Sequence, residues 1–315
     1  MKILLSLFII INTLFAINLK PTITYNGSGS ITDIIQNNDL LYGATDQGVI
    51  DIFNLKTNKL QSQIKLPKIK DFMDDDINAK VFSIDLYKDN MLIVSQGKDG
   101  FRNVFIHNNK QLTPIITHEK KLFIKKARYV SSNQIIFALI SNEVILYDLV
   151  KKDILWKRQI NTSRFSDFVL NKDKTKMALA DESGEMFLVN IKDGKLLKTF
   201  SGQNVDNIFQ VDYKNSVVTG AGQDRRVSMY SAKNTKASYK KSKFIVYSVG
   251  LSPSANLTAY SANEENDIFV MNTQTHSNIA NLIGHKSIIS KILFKNESEI
   301  FTASDDQYIY YWKIN

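Results

Sequence analysis

A short strand-type segment, Val144-Ile145-Leu146-Tyr147-Asp148, has counterparts along the whole chain. Each counterpart is a β-rich run that ends in an aromatic or apolar residue, usually followed by Asp, Asn or Ser. The closing residues are Phe53, Phe105, Tyr147, Val189, Tyr230, Met271 and Trp312. Their spacings are 52, 42, 42, 41, 41 and 41 residues. A period of about 40 to 45 residues with strand-type sequence predicts a repeat whose unit is one four-stranded sheet.

Three further strand-type runs accompany each closing run. In the second unit, residues 80–86 and 90–95 precede the closing run and another run begins at Leu112; in the sixth unit, we expect residues 244–249 to open the sheet. Turn formers such as Lys192-Asp193-Gly194 separate the third and fourth runs, as a tight hairpin requires. The pattern therefore predicts an all-β chain folded as a seven-bladed β-propeller.

The two ends of the chain complement each other. Only Lys313-Ile314-Asn315 follow Trp312, so the last unit has no room for its outer strand, whereas residues 19–25 supply an extra strand before the first full unit. An unpaired sheet edge invites aggregation. We therefore expect the N-terminal strand to join the C-terminal blade and close the ring. Pro21 is acceptable there because an outermost strand can lack one hydrogen-bond donor.

The first residues have the order of a secretory signal peptide. Lys2 precedes an apolar run over residues 3–11, and the small residue Ala16 follows. We predict a signal peptide over residues 1–16, because the apolar run is much shorter than the roughly 20 residues that span a bilayer. We expect residues 17–315 to form a single periplasmic domain without a membrane span. The chain has no cysteine, so this domain must rely on its core rather than on disulfides.

The last unit resembles the WD40 repeat. Gly284-His285 opens it, Thr302-Ala303-Ser304-Asp305-Asp306 lies in its middle, and Trp312 ends it. The resemblance implies that His285, Thr302, Asp306 and Trp312 form a hydrogen-bonded structural tetrad inside the blade. Other units keep only fragments of the motif, such as Gly202-Gln203 in place of Gly-His. The resemblance assigns His285 to structure rather than to catalysis.

An exported, cysteine-free chain of seven such units also resembles the family of L accessory components of bacterial periplasmic nitrate reductase systems. This resemblance rests on overall organisation. It implies a non-catalytic periplasmic scaffold or maturation factor for a nitrate reductase or related respiratory reductase, with reductase or electron-transfer subunits as partners. Two other interpretations stay open: an enzyme or cofactor-binding protein that uses the central channel, and a scaffold for the assembly of envelope proteins.

The residues give little support to catalysis. Only four histidines are present, and they are not grouped with the acids and nucleophiles that an active site requires. They are His107, His118, His276 and His285. We expect no enzyme activity, no catalytic residue, no cofactor and no metal site. The net charge of +9 raises the question of nucleic acid, but in an exported chain it favours an acidic protein partner, and we expect a monomer that binds no nucleic acid.

The first spacing is longer than the others, 52 against 42 residues, which indicates an insertion between the first two units. The insertion contains Phe72, Met73, Asp74, Asp75 and Asp76. Basic clusters are expected in equivalent connections, at Lys120 and Lys121 with Lys125 and Lys126, and at Lys240 and Lys241. The functional interpretation is a partner-docking face, and the alternative is solvated loop decoration. Calcium binding is disfavoured, because consecutive carboxylates do not match the alternating ligand spacing of known loops.

Overall fold

The computed structural model describes residues 16–314, so the predicted signal peptide, apart from Ala16, lies outside the described residues. Two strands, β1 (Ile17–Leu19) and β2 (Ile23–Asn26), come first. Blade 1 contains β3 (Ile31–Asn37), β4 (Leu40–Thr45), β5 (Val49–Asn54) and β6 (Lys59–Lys65), and the short hairpin of β7 (Ile69–Lys70) and β8 (Asp76–Ile77) follows it. Blade 2 contains β9 (Val81–Tyr87), β10 (Asn90–Gln96), β11 (Arg102–Asn108) and β12 (Gln111–Ile116). Blade 3 contains β13 (Ile124–Tyr129), β14 (Gln134–Leu139), β15 (Glu143–Asp148) and β16 (Asp153–Gln159).

The second half of the chain repeats this plan. Blade 4 contains β17 (Phe165–Leu170), β18 (Lys176–Asp181), β19 (Met186–Asn190) and β20 (Leu196–Phe200). Blade 5 contains β21 (Ile208–Lys214), β22 (Val217–Gly222), β23 (Arg226–Ser231) and β24 (Ala237–Lys241). Blade 6 contains β25 (Val249–Leu251), β26 (Leu257–Ser261), β27 (Ile268–Asn272) and β28 (Asn278–Leu282). Blade 7 contains β29 (Ile289–Phe294), β30 (Glu299–Ser304) and β31 (Tyr308–Lys313).

Each blade is a sheet of sequentially adjacent antiparallel strands, and the first strand of each blade faces the central channel. These inner strands contact one another in order around the ring, from β3 through β29 and back to β3. Each closing residue lies in the third strand of its blade, as the spacing requires. The prediction of an all-β seven-bladed propeller is therefore confirmed.

The N-terminal strands close the ring. Strand β2 pairs with β31 in antiparallel register, with Ile23 opposite Tyr311, and so becomes the outer strand of blade 7. Tyr25 is buried against Phe53 of blade 1, with ring centroids 5.2 Å apart. The predicted closure is thus confirmed. One further pairing was not predicted: β1 adds in parallel to β28, the outer strand of blade 6, so the N-terminus binds two blades.

The hydrophobic core lies between neighbouring blades rather than in one central mass. One cluster joins Val94 and Val104 of blade 2 to Phe137 and Ile145 of blade 3, and similar clusters follow around the ring. This packing follows from the strand sequences, since both faces of the middle strands are covered by adjacent sheets and carry nearly continuous apolar runs. Burial between blades is therefore the main force that fixes the ring.

The inner strand of blade 6 differs from the expectation. Residues 244–249 were predicted to form it, but β25 begins only at Val249. The backbone N–H groups of Tyr247 and Ser248 donate to the side-chain Oγ of Ser261 in the neighbouring strand β26 instead of to a backbone carbonyl. The apolar run that suggested a strand is explained by Val246, which is fully buried without belonging to the sheet.

Helical structure is minor in the described part of the chain. One single-turn 3-10 helix, Lys98–Gly100, lies in the turn between β10 and β11 of blade 2, and another, His118–Lys120, lies in the connection between blades 2 and 3. Among residues 16–314, no helix has the length and apolar character that crossing a bilayer requires.

Candidate protein-interaction face

Antiparallel blades place two kinds of connection at each end of the ring. The connection from the outer strand of one blade to the inner strand of the next lies at the same end as the turn between second and third strands. We call this end the upper face. The turns between first and second strands and between third and fourth strands form the lower face. The central channel opens on both.

The sequence-predicted tetrad lies under the upper face of blade 7. Trp312 Nε1 donates to Thr302 Oγ1 at 2.7 Å, and Thr302 Oγ1 lies 2.6 Å from His285 Nε2. On the other side of the His285 imidazole, Nδ1 lies 2.9 Å from Ser304 Oγ, and Ser304 Oγ donates to Asp306 Oδ1 at 2.9 Å. The structure thus brings the four residues together, with Ser304 as a fifth member that connects His285 to Asp306. Its place in the motif, two residues after Thr302, was the available signal.

The directions of these hydrogen bonds define the protonation of His285. Because Ser304 donates its hydroxyl proton to a carboxylate, it accepts from His285 Nδ1–H, and His285 Nε2 accepts from Thr302. Burial lowers the pKa of His285 to about 3, so the imidazole is neutral at physiological pH. This residue is therefore a structural link between a connection, a strand and a turn.

Other blades hold the same upper-face elements together with different side chains. In blade 5, Asn204 donates to Asp224 Oδ1 at 3.1 Å, and the backbone N–H of Val205 donates to Asp224 Oδ2 at 2.9 Å. In blade 4, Asp181 is fully buried and accepts from the side chain of Asn161 at 2.8 Å. A carboxylate therefore fixes the upper connections of blades 4 and 5 as well, although their sequences keep only fragments of the WD40 motif.

The predicted insertion forms an exposed hairpin on the upper face between blades 1 and 2. At its tip, the side chains of Phe72 and Met73 are 91% and 69% exposed. Asp71 Oδ1 caps the turn by accepting from the N–H groups of Met73 and Asp75 at 2.8 and 2.9 Å. At its base, Lys70 pairs with Asp76 at 3.0 Å, which leaves Asp74 and Asp75 as the free carboxylates of the tip. We call residues 69–77 the upper hairpin.

The basic candidates divide among three environments. Lys120 and Lys121 lie in the upper connection between blades 2 and 3, as expected. Lys240 and Lys241 lie on strand β24 rather than in a connection, at the upper end of the outer edge of blade 5. Lys126 was assigned to an exposed cluster, and this was wrong: it belongs to the inner strand β13, and only 8% of it is exposed. The alternation of a strand turns Lys126 toward the channel, whereas Lys125 is exposed.

The channel contains a network of buried charges that sequence reasoning missed. Lys126 Nζ donates to Asp167 Oδ1 at 2.6 Å. Asp33 Oδ2 accepts from Arg128 at 3.2 Å, and Asp33 Oδ1 lies 3.5 Å from Lys291 Nζ. Because these residues come from blades 1, 3, 4 and 7, the network joins opposite sides of the ring.

Burial and neighbouring charges together set the protonation of this network. Burial alone would raise the pKa of Asp33, but the positive charges of Lys291, Arg128 and Lys126 lower it to about 2. Burial also lowers the pKa of Lys126, against the opposing effect of Asp167. The carboxylate of Asp33 is therefore firmly ionised, while Lys126 depends on its partner for its charge.

Acidic residues of the inner strands also bind the next blade directly. Each of four aspartates accepts a hydrogen bond from a backbone N–H group in the inner strand of the following blade. The pairs are Asp33 with Ile84 at 3.1 Å, Asp85 with Tyr129 at 2.7 Å, Asp167 with Val211 at 3.3 Å, and Asp212 with Leu251 at 2.9 Å. An inner strand is the edge of its sheet, so its outward N–H groups lack a ladder partner. These carboxylates satisfy them and connect consecutive blades.

The upper mouth of the channel is a hollow of about 490 Å³. Its polar lining includes Ser30, Asp46, Lys80, Lys125 and Asp305, and its aromatic lining consists of Phe82 and Phe209. In the described part of the chain, no group of three or more acidic or histidine side chains is close enough to hold a metal ion. The mouth is therefore a mixed polar and aromatic surface suited to contact with another molecule.

Comparison with known proteins concerns the fold. No protein-family model matches the sequence, and no curated protein sequence matches it. Among solved structures, the chain is similar to the β-propeller domain of Cps50 (Swd1) from Myceliophteria thermophila, with a TM-score of 0.75 and 12% sequence identity. The similarity covers 94% of this chain and 99% of that one. The chain therefore has a WD40-like seven-bladed β-propeller fold.

Proposed function

We propose that the chain is a non-catalytic, periplasmic protein-interaction scaffold that assists a respiratory reductase, and that the upper hairpin contacts the partner. The resemblance to L accessory components names the first partner to test, a periplasmic nitrate reductase or its electron-transfer subunits. The observation that carries the proposal is the tip of the upper hairpin, where Phe72 is 91% exposed beside Met73.

The chemistry of the tip supports a protein partner. A large aromatic side chain in water gains about 1.5 to 3 kcal/mol when a partner buries it, so adjacent exposed Phe and Met residues are effective anchors. The carboxylates of Asp74 and Asp75 flank them, which favours a partner with basic groups around an apolar pocket. The hydrogen bonds that Asp71 accepts in the turn restrict the conformations of the hairpin, which reduces the entropy lost on binding.

The proposed location follows from the signal sequence. The first described strand begins at Ile17, so cleavage after Ala16 would leave every described strand intact. N-terminal sequencing of protein isolated from the periplasmic fraction tests this part. A mature protein that begins at or near Ile17 is expected, and a full-length protein retained in the cytoplasm would contradict it.

The partner is tested by affinity capture from periplasm with the tagged protein. Wild-type protein is expected to retain reductase or electron-transfer subunits, identified by mass spectrometry. The variant Phe72→Ser/Met73→Ser is expected to retain at least about tenfold less of these subunits. Truncating a central anchor residue commonly costs about 1 to 2 kcal/mol or more of binding free energy.

A matched control uses the lower face. Val150 is 69% exposed in the turn between β15 and β16, so Val150→Ser removes an exposed apolar side chain, smaller than Phe72 and Met73 together, from the opposite end of the ring. This control is expected to retain the wild-type amount of reductase. Equal capture by the hairpin variant and the wild type would refute the proposed face, and capture of no reductase subunit by any form would refute the proposed partner.

A further inference from the structure

Four basic side chains of blades 2 to 4 gather at the upper mouth. Lys80 and Lys125 line the hollow, Arg102 lies over the Phe82 ring with its guanidinium carbon 4.0 Å from the ring centroid, and Arg164 lines a smaller hollow of about 220 Å³. The two hollows share Lys125 and Phe209 in their linings, so they lie side by side, and we refer to them together as the groove. We call these four residues the basic crescent.

Little opposite charge contacts the basic crescent directly. Among the described residues, Lys80, Arg102 and Lys125 form no ion pair, and Arg164 reaches only the exposed Glu182 at 3.7 Å. Partial desolvation of the exposed Lys125 side chain, followed by repulsion from Arg164, Arg102 and Lys80, lowers its pKa, with Asp167 opposing. The buried Nε of Arg102 has no hydrogen-bond partner. An incoming anion would relieve the repulsion among these cations.

Apolar surface adjoins the same residues. The Phe82 ring is flanked by Arg102 and by Lys80, whose Nζ lies 5.9 Å from the ring centroid. Phe123, 43% exposed in the connection before Lys125, packs on Phe101 with ring centroids 4.6 Å apart. A ligand that fits this groove therefore combines negative charge with an apolar side chain.

We propose that the upper mouth binds an acidic segment of a partner protein, with its carboxylates against the basic crescent and an apolar side chain against Phe82 and Phe209, the aromatic residues that line the mouth. This proposal rests on the proposed function, because it specifies a second contact on the same face. It is independent of the upper hairpin, which presents charge of the opposite sign.

The opposite side of the mouth argues for a peptide rather than a nucleic acid. Asp46 of blade 1 and Asp305 of blade 7 face the hollow across from Lys125, and Asp33 and Asp167 lie in its floor. A nucleic acid backbone carries charge at every step, so it would bring phosphates against these carboxylates. A peptide can confine its carboxylates to the basic side.

The test is fluorescence anisotropy with a fluorescein-labelled hexapeptide, Glu-Asp-Phe-Glu-Asp-Glu, and with a second peptide in which Lys replaces each acidic residue. Wild-type protein is expected to bind the acidic peptide and not the basic one. Lys80→Glu/Lys125→Glu is expected to raise the dissociation constant of the acidic peptide at least about tenfold. Lys80→Gln/Lys125→Gln is expected to raise it about threefold. Raising NaCl from about 50 to about 300 mM is expected to weaken wild-type binding, because the mouth is open to solvent.

The matched control is Lys151→Glu/Lys192→Glu, which makes the same charge change in exposed turns of the lower face. It is expected to change the dissociation constant less than about twofold. The inference is overturned if the crescent variants bind like wild type, if the control weakens binding equally, or if a labelled oligothymidylate binds as tightly as the acidic peptide. Circular dichroism melting confirms that each variant is folded.

Repeating the capture assay with the same variants separates the two proposals. Capture that depends on the upper hairpin but not on the basic crescent would uphold the proposed function and refute this inference. Capture that depends on neither would refute both. Loss of capture in the crescent variant, together with loss of peptide binding, is the result expected here.

Discussion

The upper and lower faces are built from the same repeat, yet they are held together by different interactions. On the lower face, the polar residue that follows five of the seven closing residues caps its own turn. For example, Asn272 Oδ1 accepts from the N–H groups of Gln274 and Thr275, both at 2.9 Å. Asp148 accepts from Val150 and Lys151 in the same way. On the upper face, the contacts join distant segments, as His285 joins a connection to Thr302 and Ser304.

This difference indicates that the lower turns tolerate sequence changes better than the upper connections do. A lower turn is set by two or three neighbouring residues, so each repeat can keep it independently. An upper connection depends on buried polar groups supplied by several segments, and removing one leaves its partners without hydrogen bonds. The rigid upper scaffold can therefore carry the upper hairpin and the basic crescent in defined positions.

The largest effect is expected just below the upper mouth. Lys126→Met leaves Asp167 buried without its counter-ion, which costs about 3 to 5 kcal/mol. Lys126→Met/Asp167→Asn is expected to recover most of the loss, because it removes both charges and the methionine fills the same space. Guanidinium chloride unfolding measures both free energies. A double variant no more stable than the single one would contradict the ion-pair explanation.

A second prediction concerns the tetrad of blade 7. Thr302→Val keeps the shape of the side chain but removes the hydroxyl that serves both His285 Nε2 and Trp312 Nε1. Two buried groups lose their partner, so the free energy of unfolding is expected to fall by about 2 to 4 kcal/mol. Thr302→Ser keeps the hydroxyl and is expected to lose about 1 kcal/mol. Equal losses in the two variants would show that the network does not stabilise the blade.

A third prediction uses pH. The folded-state pKa of His285 is about 3, below its unfolded value near 6.5, so the unfolded chain binds more protons between these values and stability falls as pH decreases. Between pH 6.5 and 5 this residue is expected to contribute a loss of about 1.6 kcal/mol in the free energy of unfolding. His285→Gln, the residue that blade 5 has in the corresponding position, removes this contribution.

Urea unfolding across this pH range measures the difference in slope between the two proteins. The wild type is expected to lose stability more steeply than His285→Gln. Parallel pH profiles would mean that the folded protein protonates His285 as readily as the unfolded chain does.

The smallest effect is expected on the lower face. Asn272→Ala removes the cap of one turn, but Gln274 and Thr275 are close to water, which replaces the lost acceptor. The expected loss is about 0.5 to 1 kcal/mol by denaturant unfolding. A loss as large as that of Thr302→Val would remove the proposed difference between the faces.

The same contrast explains what could be predicted from the sequence. The closing residues and the caps behind them are local features that recur at a fixed spacing, so they revealed the seven blades and the missing outer strand. The tetrad could be recognised because blade 7 keeps the His, Thr, Asp and Trp of the motif at their spacing, although Lys313 replaces the Asp that usually follows the Trp. In blade 5, the spacing of six residues before Tyr230 identifies Asp224, but no local pattern identifies Asn204 as its partner.

The remaining features depend on long-range placement. The pairing of β1 with β28 joins residues 17–19 to residues 280–282, and neither segment carries a signal for a parallel partner. Lys125 and Lys126 look alike in the sequence, and only the orientation of β13 buries one and exposes the other. The basic crescent likewise assembles from three blades, so it became visible only in the folded ring.

Site-specific photocrosslinking in living cells tests the central claim, that the upper face is the interaction face, most directly. A benzophenone amino acid is placed at Met73 or at Val150, positions with the same 69% exposure on opposite faces. The account predicts a crosslinked reductase or electron-transfer subunit from position 73 and none from position 150. Crosslinking of that subunit from position 150 alone would contradict it.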